Sequence, residues 1–302
     1  MASEVRTRLV GLIGYPVGHT ASPAMHQAGF RALGLDWIYL PMEVPPALVG
    51  DAVRGLRALG FAGANVTIPH KQTVLDHVEH LTSQARRVGA VNTLWIDGGR
   101  IVGHNTDVAG FRQAIVQAAS ALDGRVALIL GAGGAARAAV AACVEARCAR
   151  VVVAARRLQA ARELAEAFEG VEAVALEAGS LRPLLAHVDL LVNATPLGMV
   201  GVGRGETLVE LAPPDRLAPG AVVMDMVYRP LSTPLLQAAR KAGRAVVTGA
   251  AMLLYQGIAA FELWTGRPAP VDAMARALAH ELGVQEPEQA GLPTPQHPEQ
   301  AR

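Results

Sequence analysis

A lysine that directly follows an apolar run is the residue best placed for acid–base chemistry. Lys71 closes the segment Asn65-Val66-Thr67-Ile68-Pro69-His70-Lys71, whose first half continues a predicted buried strand. In open α/β sheets, functional groups are usually exposed just beyond the strand ends. An ammonium group there can donate and accept a proton at a bound oxygen. The alternative is a solvated surface lysine, which is the commoner role of this residue type.

Other polar residues are placed to join Lys71. Asn105-Thr106-Asp107 falls between two predicted lobes, and Asn92-Thr93 opens a predicted hairpin. Amide, hydroxyl, carboxylate and ammonium groups that converge on one cleft would bind a hydroxylated ring.

A glycine-rich turn predicts a site for phosphate groups. The apolar run at 126–130 leads directly into Gly131-Ala132-Gly133-Gly134-Ala135-Ala136, after which an alanine-rich helix begins. Gly131 permits a tight turn, Gly133 lets the backbone approach a pyrophosphate, and Ala136 lets the helix pack closely on the strand. The first amide groups of the helix would hold the phosphates. The alternative is a glycine-rich turn without a ligand.

The end of the next predicted strand indicates which dinucleotide binds. An NAD enzyme places Asp or Glu there to bind the ribose hydroxyls, whereas this chain has Arg156 and Arg157. Guanidinium groups suit the extra phosphate of NADP. We therefore expect NADP in preference to NAD. The alternative is a solvated, charged helix face.

The elements that position these residues follow from hydrophobic patterning. Apolar runs alternate with amphipathic segments, which predicts an α/β protein with parallel strands and crossover helices. We expect two lobes: an N-terminal α/β substrate-binding lobe at 1–107 and a Rossmann-type, doubly wound nucleotide-binding lobe at 108–248. Strands of the second lobe are predicted at 126–130, 151–155, 190–194 and 222–226. In the first lobe we predict a helical segment over 71–87 and a hairpin turn at Gly98-Gly99.

Two helical segments, at about 250–265 and 271–282, follow the last predicted strand. We expect residues 249–284 to return to the first lobe and pack on it. The tail at 285–302 contains four prolines and few apolar residues, which predicts disorder.

The composition argues against several classes of function. Hydrophobic residues make up 51% of the chain and charged residues 18%, which is typical of a globular protein. The net charge of +1 and the lack of a basic stripe argue against a nucleic-acid partner. The longest uncharged stretch, at 245–261, is too short and too polar to span a bilayer. Because the N-terminus lacks the apolar core of a signal peptide, we expect a cytoplasmic protein.

The two cysteines, Cys143 and Cys148, are predicted to lie on one helix, where their spacing would point them in different directions. We interpret them as reduced packing residues.

A second cluster has the spacing of metal ligands on a helix. It comprises Asp76, His77, Glu79 and His80. We interpret it as an exposed helix face and expect no metal, because a lysine–aspartate pair makes a metal unnecessary.

Taken in order, the motifs resemble those of the shikimate dehydrogenase family, which includes quinate/shikimate dehydrogenases. The resemblance runs from about Gly11 to Leu282. It is carried by GYPVGHTASP at 14–23, NVTIPHK at 65–71, GAVNT at 89–93, NTD at 105–107, GAGGAAR at 131–137, NATPLGM at 193–199, Tyr228 with Pro230 and Thr233, and finally Met252, Gln256 and WTG at 264–266.

This resemblance implies an oxidoreductase in which NADPH reduces the 3-keto group of 3-dehydroshikimate to shikimate, a step of aromatic amino acid biosynthesis. It implies that Lys71 is the proton donor and acceptor at the reacting oxygen and that Asp107 binds the same edge of the substrate. The implied substrate contacts are Thr20 and Ser22 on the carboxylate, Asn65, Thr67, Asn92 and Gln256 on the ring hydroxyls, and Tyr228 near the cofactor. The implied cofactor contacts are Gly131, Ala132, Gly133, Gly134, Ala135, Arg156, Arg157, Thr195, Met226 and Gly249.

Two departures from the family pattern leave alternatives open. The first hydroxyl position is usually Ser in shikimate-specific enzymes and is Thr20 here, so a quinate/shikimate dehydrogenase of quinate catabolism, using NAD or NADP, is the alternative. The second departure is in the NADP signature, which is usually Asn-Arg-Thr in this family and is Ala155-Arg156-Arg157 in this chain.

Three further alternatives remain. A non-catalytic sensor of NADP or of a ring acid is the second alternative function, since fold does not fix function. Ser22, which precedes Pro23, would serve as a helix N-cap instead of, or in addition to, binding the carboxylate. Monomer and homodimer are both compatible with the sequence.

Overall fold

The computed structural model describes residues 7–118, 121–202 and 206–293. The chain divides into two compact units: the first runs to Thr106 and resumes at Gln256, and the second covers Asp107–Tyr255. The predicted lobes placed Asp107 with the first unit and started the C-terminal helices at residue 249. By their contacts, Asp107 and residues 249–255 therefore belong to the second unit and not, as predicted, to the first.

Between residue 7 and Thr106, the described part of the first unit contains six strands and three α-helices. They are β1 (Arg8–Gly14), α1 (Ser22–Ala32), β2 (Trp37–Glu43), α2 (Val49–Ala58), β3 (Gly63–Val66), β4 (His80–Leu81), α3 (Ser83–Val88), β5 (Thr93–Asp97) and β6 (Arg100–His104). Short 3-10 helices lie at Pro46–Leu48 and Thr73–His77.

The described residues of the second unit form a further six strands. Its elements are α4 (Asp107–Gln117), β7 (Val126–Leu130), α5 (Gly134–Glu145), β8 (Arg150–Ala155), α6 (Leu158–Glu166), β9 (Val171–Ala175), α7 (Ala178–Leu185), β10 (Leu190–Asn193), α8 (Glu206–Leu211), a 3-10 helix at Pro214–Arg216, β11 (Val222–Asp225), α9 (Pro234–Lys241) and β12 (Ala245–Val247). The chain then forms α10 (Gly249–Thr265) and α11 (Val271–Glu281).

The sheet of the first unit has the strand order β2-β1-β3-β5-β6-β4. Strands β1, β2 and β3 are parallel, β5 joins β3 in the antiparallel sense, and β5 and β6 form the predicted hairpin. Gly98 (φ 55°) and Gly99 (φ 79°) form its turn, where positive φ values match the twist of the flanking strands. The hairpin prediction is confirmed.

The sheet of the second unit has the order β12-β11-β10-β7-β8-β9 and is parallel throughout its described pairs. Strands β10 and β11 are buried along their whole length, as expected where helices cover both faces of a parallel sheet. The strand order reverses between β7 and β10, so the crevice beyond their carboxyl ends is the place where such folds bind ligands. The two-lobed α/β prediction with a Rossmann-type second lobe is confirmed.

The predicted helical segment at 71–87 is wrong. The chain forms a 3-10 helix at Thr73–His77, pairs β4 with β6, and starts α3 only at Ser83. The hydroxyl of Thr82 accepts a hydrogen bond from the N–H of Ala85 at 3.2 Å, so Thr82 is the N-cap of a separate, short helix.

The predicted disorder of the tail fails for its first part. Residues 287–290 form a 3-10 helix whose N-cap, Glu286, makes a capping box with Gln289. Ala290 and Leu292 are buried. The burial of these apolar side chains offsets the entropy cost of ordering a segment whose composition had predicted disorder. Residues 294–302 lie outside the described part of the chain.

The two cysteines also differ from prediction. Helix α5 ends at Glu145, so Cys148 lies beyond it, and its thiol donates a hydrogen bond to the carbonyl of Leu122 at 3.2 Å. Among the described helices, none is both long enough and apolar enough to cross a membrane.

An aromatic cluster in the first unit surrounds a fully buried histidine, His26 of α1. Its ring stacks on Tyr39 with 4.5 Å between centroids, and Phe30, Phe261 and Trp264 lie around it. Neither ring nitrogen has a hydrogen-bond partner among the described residues. Burial lowers the pKa of His26 from 6.5 to about 3. The fold therefore holds this side chain in its neutral form.

We predict that His26 lowers the free energy of unfolding of the first unit at acidic pH. The unfolded chain binds a proton at 6.5 and the folded one only near pH 3, so this contribution is intact above pH 6.5 and is lost as the pH falls. Between pH 6.5 and 4.5 the loss amounts to about 2 kcal/mol. In His26→Leu, that part of the pH dependence should vanish.

All three tryptophans, Trp37, Trp95 and Trp264, lie in the first unit, so urea unfolding followed by tryptophan fluorescence reports on it. His19→Leu, which removes an exposed histidine, is the matched control. An equal pH slope in wild type and His26→Leu would contradict the prediction.

Candidate active site

The loops that follow β1 and β3 lie side by side, because these strands are parallel neighbours. The N–H of Tyr15 donates to the carbonyl of Ile68 at 2.9 Å. A Cβ atom at Gly14 would lie 2.3 Å from Cγ2 of Thr67, so only glycine allows this approach. The chain that follows β1 is therefore fixed next to Thr67 at the carboxyl end of these two strands.

Thr20 and Ser22 flank the start of α1. The hydroxyl of Thr20 accepts a hydrogen bond from the N–H of Ser22 at 3.3 Å, and Ser22 is buried. The N-cap of α1 is Ala21, and no side chain caps it, so the interpretation of Ser22 as an N-cap is wrong. Pro23 fits within the first turn, where Ser22 already has helical geometry. The Ser22 hydroxyl has no capping role that would compete with ligand binding.

Asn65, in β3, is buried and oriented by its neighbours. Its Oδ1 accepts a hydrogen bond from the Tyr39 hydroxyl at 2.8 Å, and its Nδ2 donates to the carbonyl of Asn92 at 3.2 Å and to the Thr93 hydroxyl at 3.3 Å. Tyr39 was not predicted from the sequence as part of the site. Its signal was the alternating burial in β2, where Trp37 and Tyr39 are the buried positions.

Asn92 connects three segments of the first unit. Its Oδ1 accepts a hydrogen bond from the N–H of Thr106 at 2.7 Å, and its Nδ2 donates to the Thr106 hydroxyl at 2.9 Å and to Oε1 of Gln256 at 3.4 Å. The Thr93 hydroxyl donates to the same Oδ1 at 3.0 Å. The structure thus brings together Asn65, Asn92 and Gln256, which the sequence analysis selected for one site.

Lys71 is held through its backbone. Its carbonyl accepts the N–H of Val91 at 2.7 Å, which places it beside the residue that precedes Asn92. The neighbouring His70 is buried, and its Nε2 lies 2.7 Å from the carbonyl of Val44. The Lys71 side chain is half-buried. Of the 27 lysines and arginines in the sequence, only Lys71 and Lys241 are lysines, a signal that the sequence analysis did not use.

Asp107 is the first residue of α4 and is almost fully buried, with 3% of its surface exposed. It directly follows Thr106, whose contacts with Asn92 fix the preceding peptide. Tyr228 follows β11 and is half-buried.

The glycine-rich turn of the second unit has the features of a dinucleotide cradle. Gly131 has φ 113°, and a Cβ atom there would lie 3.0 Å from the carbonyl oxygen of Ala194. A Cβ at Gly133 would meet nothing within 4 Å, so the space above this residue is open. Gly133 is the N-cap of α5, and among the described residues no side chain makes a capping hydrogen bond there. The amide groups of the first turn and the positive end of the helix dipole fit a pyrophosphate.

The remaining predicted cofactor residues follow the carboxyl ends of strands in the same sheet. Thr195 follows β10, and Met226 follows β11. A Cβ atom at Gly249 would lie 2.4 Å from the carbonyl oxygen of Met226, so glycine is required for this approach. Arg156 and Arg157 follow β8, and both are exposed. No acidic residue occupies the end of β8, so the described residues suit a phosphorylated ribose.

A buried network beneath these loops was missed by the sequence analysis. Asp225, at the end of β11, accepts hydrogen bonds from Nδ2 of Asn193 at 2.8 Å, from the N–H of Val227 at 3.0 Å and from the Thr233 hydroxyl at 2.7 Å. Oδ1 of Asn193 in turn accepts the N–H of Thr195 at 2.9 Å. Burial raises the pKa of Asp225 to about 6, while the three hydrogen bonds oppose this rise. A carboxylate that ends an apolar strand was the available signal.

The histidine-containing cluster at 76–80 does not form a metal site. His77 belongs to a 3-10 helix and His80 to β4, so they do not share a helix face. Oε1 of Glu79 accepts a hydrogen bond from the Arg57 guanidinium at 2.6 Å, and Oε2 accepts one from the N–H of Ile101 at 2.6 Å. In the described ranges, no group of three or more acidic, histidine or cysteine residues could hold a metal ion.

Comparison with protein families matches most of the chain. The model of a shikimate dehydrogenase substrate binding domain covers residues 12–94, that of a shikimate/quinate 5-dehydrogenase covers 113–215, and that of a shikimate 5'-dehydrogenase C-terminal domain covers 249–279. A shikimate dehydrogenase (NADP(+)) of Geobacter metallireducens is 44% identical over 284 residues, which are 92% of this chain and 98% of that protein.

Two solved structures show the same fold. The shikimate 5-dehydrogenase of Thermus thermophilus in complex with NADP(H) and shikimate has a TM-score of 0.79 and 35% identity, covering 91% of this chain and 100% of that one. The quinate dehydrogenase of Corynebacterium glutamicum in complex with NAD has a TM-score of 0.80 and 32% identity, covering 91% and 99%.

Proposed function

The chain belongs to the shikimate dehydrogenase family, and we propose that it is an NADP-dependent oxidoreductase that reversibly reduces 3-dehydroshikimate to shikimate. The observation that carries this proposal is the buried amide and hydroxyl network of Asn65, Asn92 and Gln256, next to which the backbone holds Lys71. Such a set of donors and acceptors suits a ring that carries several hydroxyl groups.

The residues of the second unit support NADP as the cofactor. When bound, NADPH supplies the hydride. The amide groups at Gly133 and Gly134 would hold the pyrophosphate, and Arg156 and Arg157 would bind the ribose phosphate through charge-assisted hydrogen bonds. The network of Asn193 and Asp225 fixes the backbone of Thr195, and so would keep the cofactor-binding loop in one conformation.

Lys71 would act at the reacting oxygen. Negative charge develops on a carbonyl oxygen while its carbon is being reduced, and an ammonium group within hydrogen-bond reach stabilises that charge and then gives up a proton. Asp107 would accept a hydrogen bond from the same edge of the substrate. Asn65, Thr67, Asn92 and Gln256 would orient the ring through its hydroxyls.

Thr20 and Ser22 would bind the substrate carboxylate. Both lie at the N-terminal end of α1, where no side chain caps the helix at its N-cap Ala21 and the helix dipole favours an anion. The buried Ser22 backbone already bonds the Thr20 hydroxyl, so the two residues act as one structural element.

Quinate oxidation is the second candidate, and Thr20 favours it. Its extra methyl group changes the space around the ring carbon that bears the carboxylate, which is the carbon that carries a hydroxyl in quinate. The 32% identity to a quinate dehydrogenase shows that this family includes such enzymes.

Initial rates decide between these functions. Purified protein would be assayed for oxidation of shikimate and of quinate, each with NADP and with NAD, by nicotinamide absorbance. We expect shikimate with NADP to dominate. Dominance of quinate or NAD would support the second candidate, and binding of NADP or a ring acid without turnover would support a sensor.

Lys71→Ala tests the acid–base role. We expect kcat to fall by about 10²- to 10⁴-fold, as is usual when a general acid–base group is lost, with little change in the Kd for NADP. Lys241→Ala, which removes the other lysine from an exposed position at the end of α9, is the matched control and should leave kcat unchanged. Full turnover of Lys71→Ala would exclude Lys71 as the acid–base residue.

Arg156→Ala tests recognition of the ribose phosphate. Loss of a charge-assisted contact of about 1.5–3 kcal/mol should raise the Kd for NADP roughly 10- to 100-fold while leaving the Kd for NAD nearly unchanged. Calorimetry with both dinucleotides measures this difference. Arg162→Ala removes the same charge from an exposed site on α6 and controls for net charge. An equal loss for both dinucleotides would show that Arg156 does not contact the phosphate.

A further inference from the structure

The two cysteines of the chain are brought together by the way helix α5 ends. Arg147 has φ 59°, a left-handed conformation, and its N–H donates to the carbonyl of Val144 at 3.0 Å. The N–H of Cys148 donates to the carbonyl of Cys143 at 3.0 Å. These two bonds define a Schellman motif, which brings the first and last residues of the bonded segment close together and is frequently accompanied by a contact between their side chains. Here the two side chains are thiols.

The backbone geometry permits a disulfide between them. The Cα atoms of Cys143 and Cys148 are linked through one hydrogen bond of 3.0 Å and the covalent bonds at its two ends. Standard bond lengths then limit their separation to less than about 7.2 Å. Because the links are not collinear, the actual separation is shorter, within the range that disulfides span. The Cys148 thiol donates a hydrogen bond to the carbonyl of Leu122 at 3.2 Å, and the Cys143 thiol lies close enough to change the pKa of Cys148.

The two thiols differ in exposure and acidity. Cys143 is fully buried within α5, and the contact with Cys148 together with burial raises its pKa well above the usual value. Cys148 is partly exposed, and the hydrogen bond from Cys143, assisted by the charge of Arg125, lowers its pKa. A partly exposed thiol of lowered pKa beside a second thiol is the arrangement in which an oxidised cysteine is resolved as a disulfide.

We propose that Cys148 and Cys143 form a peroxide-reactive site, in which Cys148 is attacked first and Cys143 resolves it. The thiolate of Cys148 attacks one oxygen of a hydroperoxide, the O–O bond breaks, and an alcohol or water leaves, giving a sulfenic acid. The sulfur of Cys143 then attacks the sulfur of Cys148; the S–S bond forms, the S–O bond breaks, and hydroxide leaves as water with the proton of Cys143. Two thiols lose two electrons in all, and the peroxide gains them.

This site lies outside the residues proposed for substrate and cofactor, and the inference does not depend on the proposed function. Its consequence is protection: rapid closure of the disulfide would stop oxidation of Cys148 at a reversible stage, before the sulfinic acid.

Intact-mass spectrometry of the full-length protein, treated with a small excess of hydrogen peroxide, tests the proposal. We expect a loss of two hydrogen atoms, reversed by dithiothreitol, and a peptide map that links Cys143 to Cys148. In Cys143→Ser, Cys148 should instead gain one oxygen that dimedone traps, followed by further oxygens. In Cys148→Ser, the rate of oxidation should fall by more than about tenfold, because Cys143 is buried.

Wild-type protein that gains oxygen atoms without losing hydrogens would overturn the inference, as would disulfide-linked dimers or two unmodified thiols after treatment. These outcomes are read on the wild-type chain, so they remain decisive if a cysteine variant folds poorly. Circular dichroism of both variants checks their folding.

Discussion

The side-chain amide of Asn92 is the interaction on which the first unit depends. It is buried, and it bonds the backbone and hydroxyl of Thr106, the Thr93 hydroxyl and the side chain of Gln256. Burial of an amide without such partners would cost several kcal/mol, so the surrounding chain must keep its geometry. Residues far apart in sequence are thereby fixed around one point. The loop that carries Lys71 is joined to the same point through Val91.

Desolvation shifts the pKa of one buried group in each unit, and the two shifts make stability depend on pH in opposite directions. The folded pKa of His26, about 3, lies below 6.5, so its contribution to stability is present above pH 6.5 and falls as the pH is lowered. The folded pKa of Asp225, about 6, lies above 3.8, so its contribution is present below pH 3.8 and is lost as the pH rises through 6. His26 packs among rings with no partner for either nitrogen, whereas Asp225 accepts three hydrogen bonds. The carboxylate therefore remains usable as an acceptor at neutral pH, where it holds the loop beyond β10.

The sequence predicted those elements whose pattern is set by one dominant interaction. Buried parallel strands such as β7, β10 and β11 read as continuous apolar runs, and the hairpin at Gly98-Gly99 follows from backbone sterics. By contrast, β9 was missed because it is only half-buried and exposes Glu172, and β12 because it has three residues. The end of α5 was misjudged because Arg147, not glycine, adopts the left-handed conformation there. Tyr39 and Asp225 were missed for another reason: each acts through a partner that lies distant in the sequence.

The basic residues of the chain separate two kinds of chemistry. Arginine supplies nearly all the positive charge, and its guanidinium, which does not release its proton in proteins, suits fixed contacts such as a phosphate beyond β8. Lysine is the basic side chain that can exchange a proton as well as carry charge. A lysine at position 71 carries the charge that an arginine would carry, and it keeps the ability to exchange a proton. Under the proposed function, Lys71 would use this property for proton transfer at a bound oxygen, which arginine could not provide.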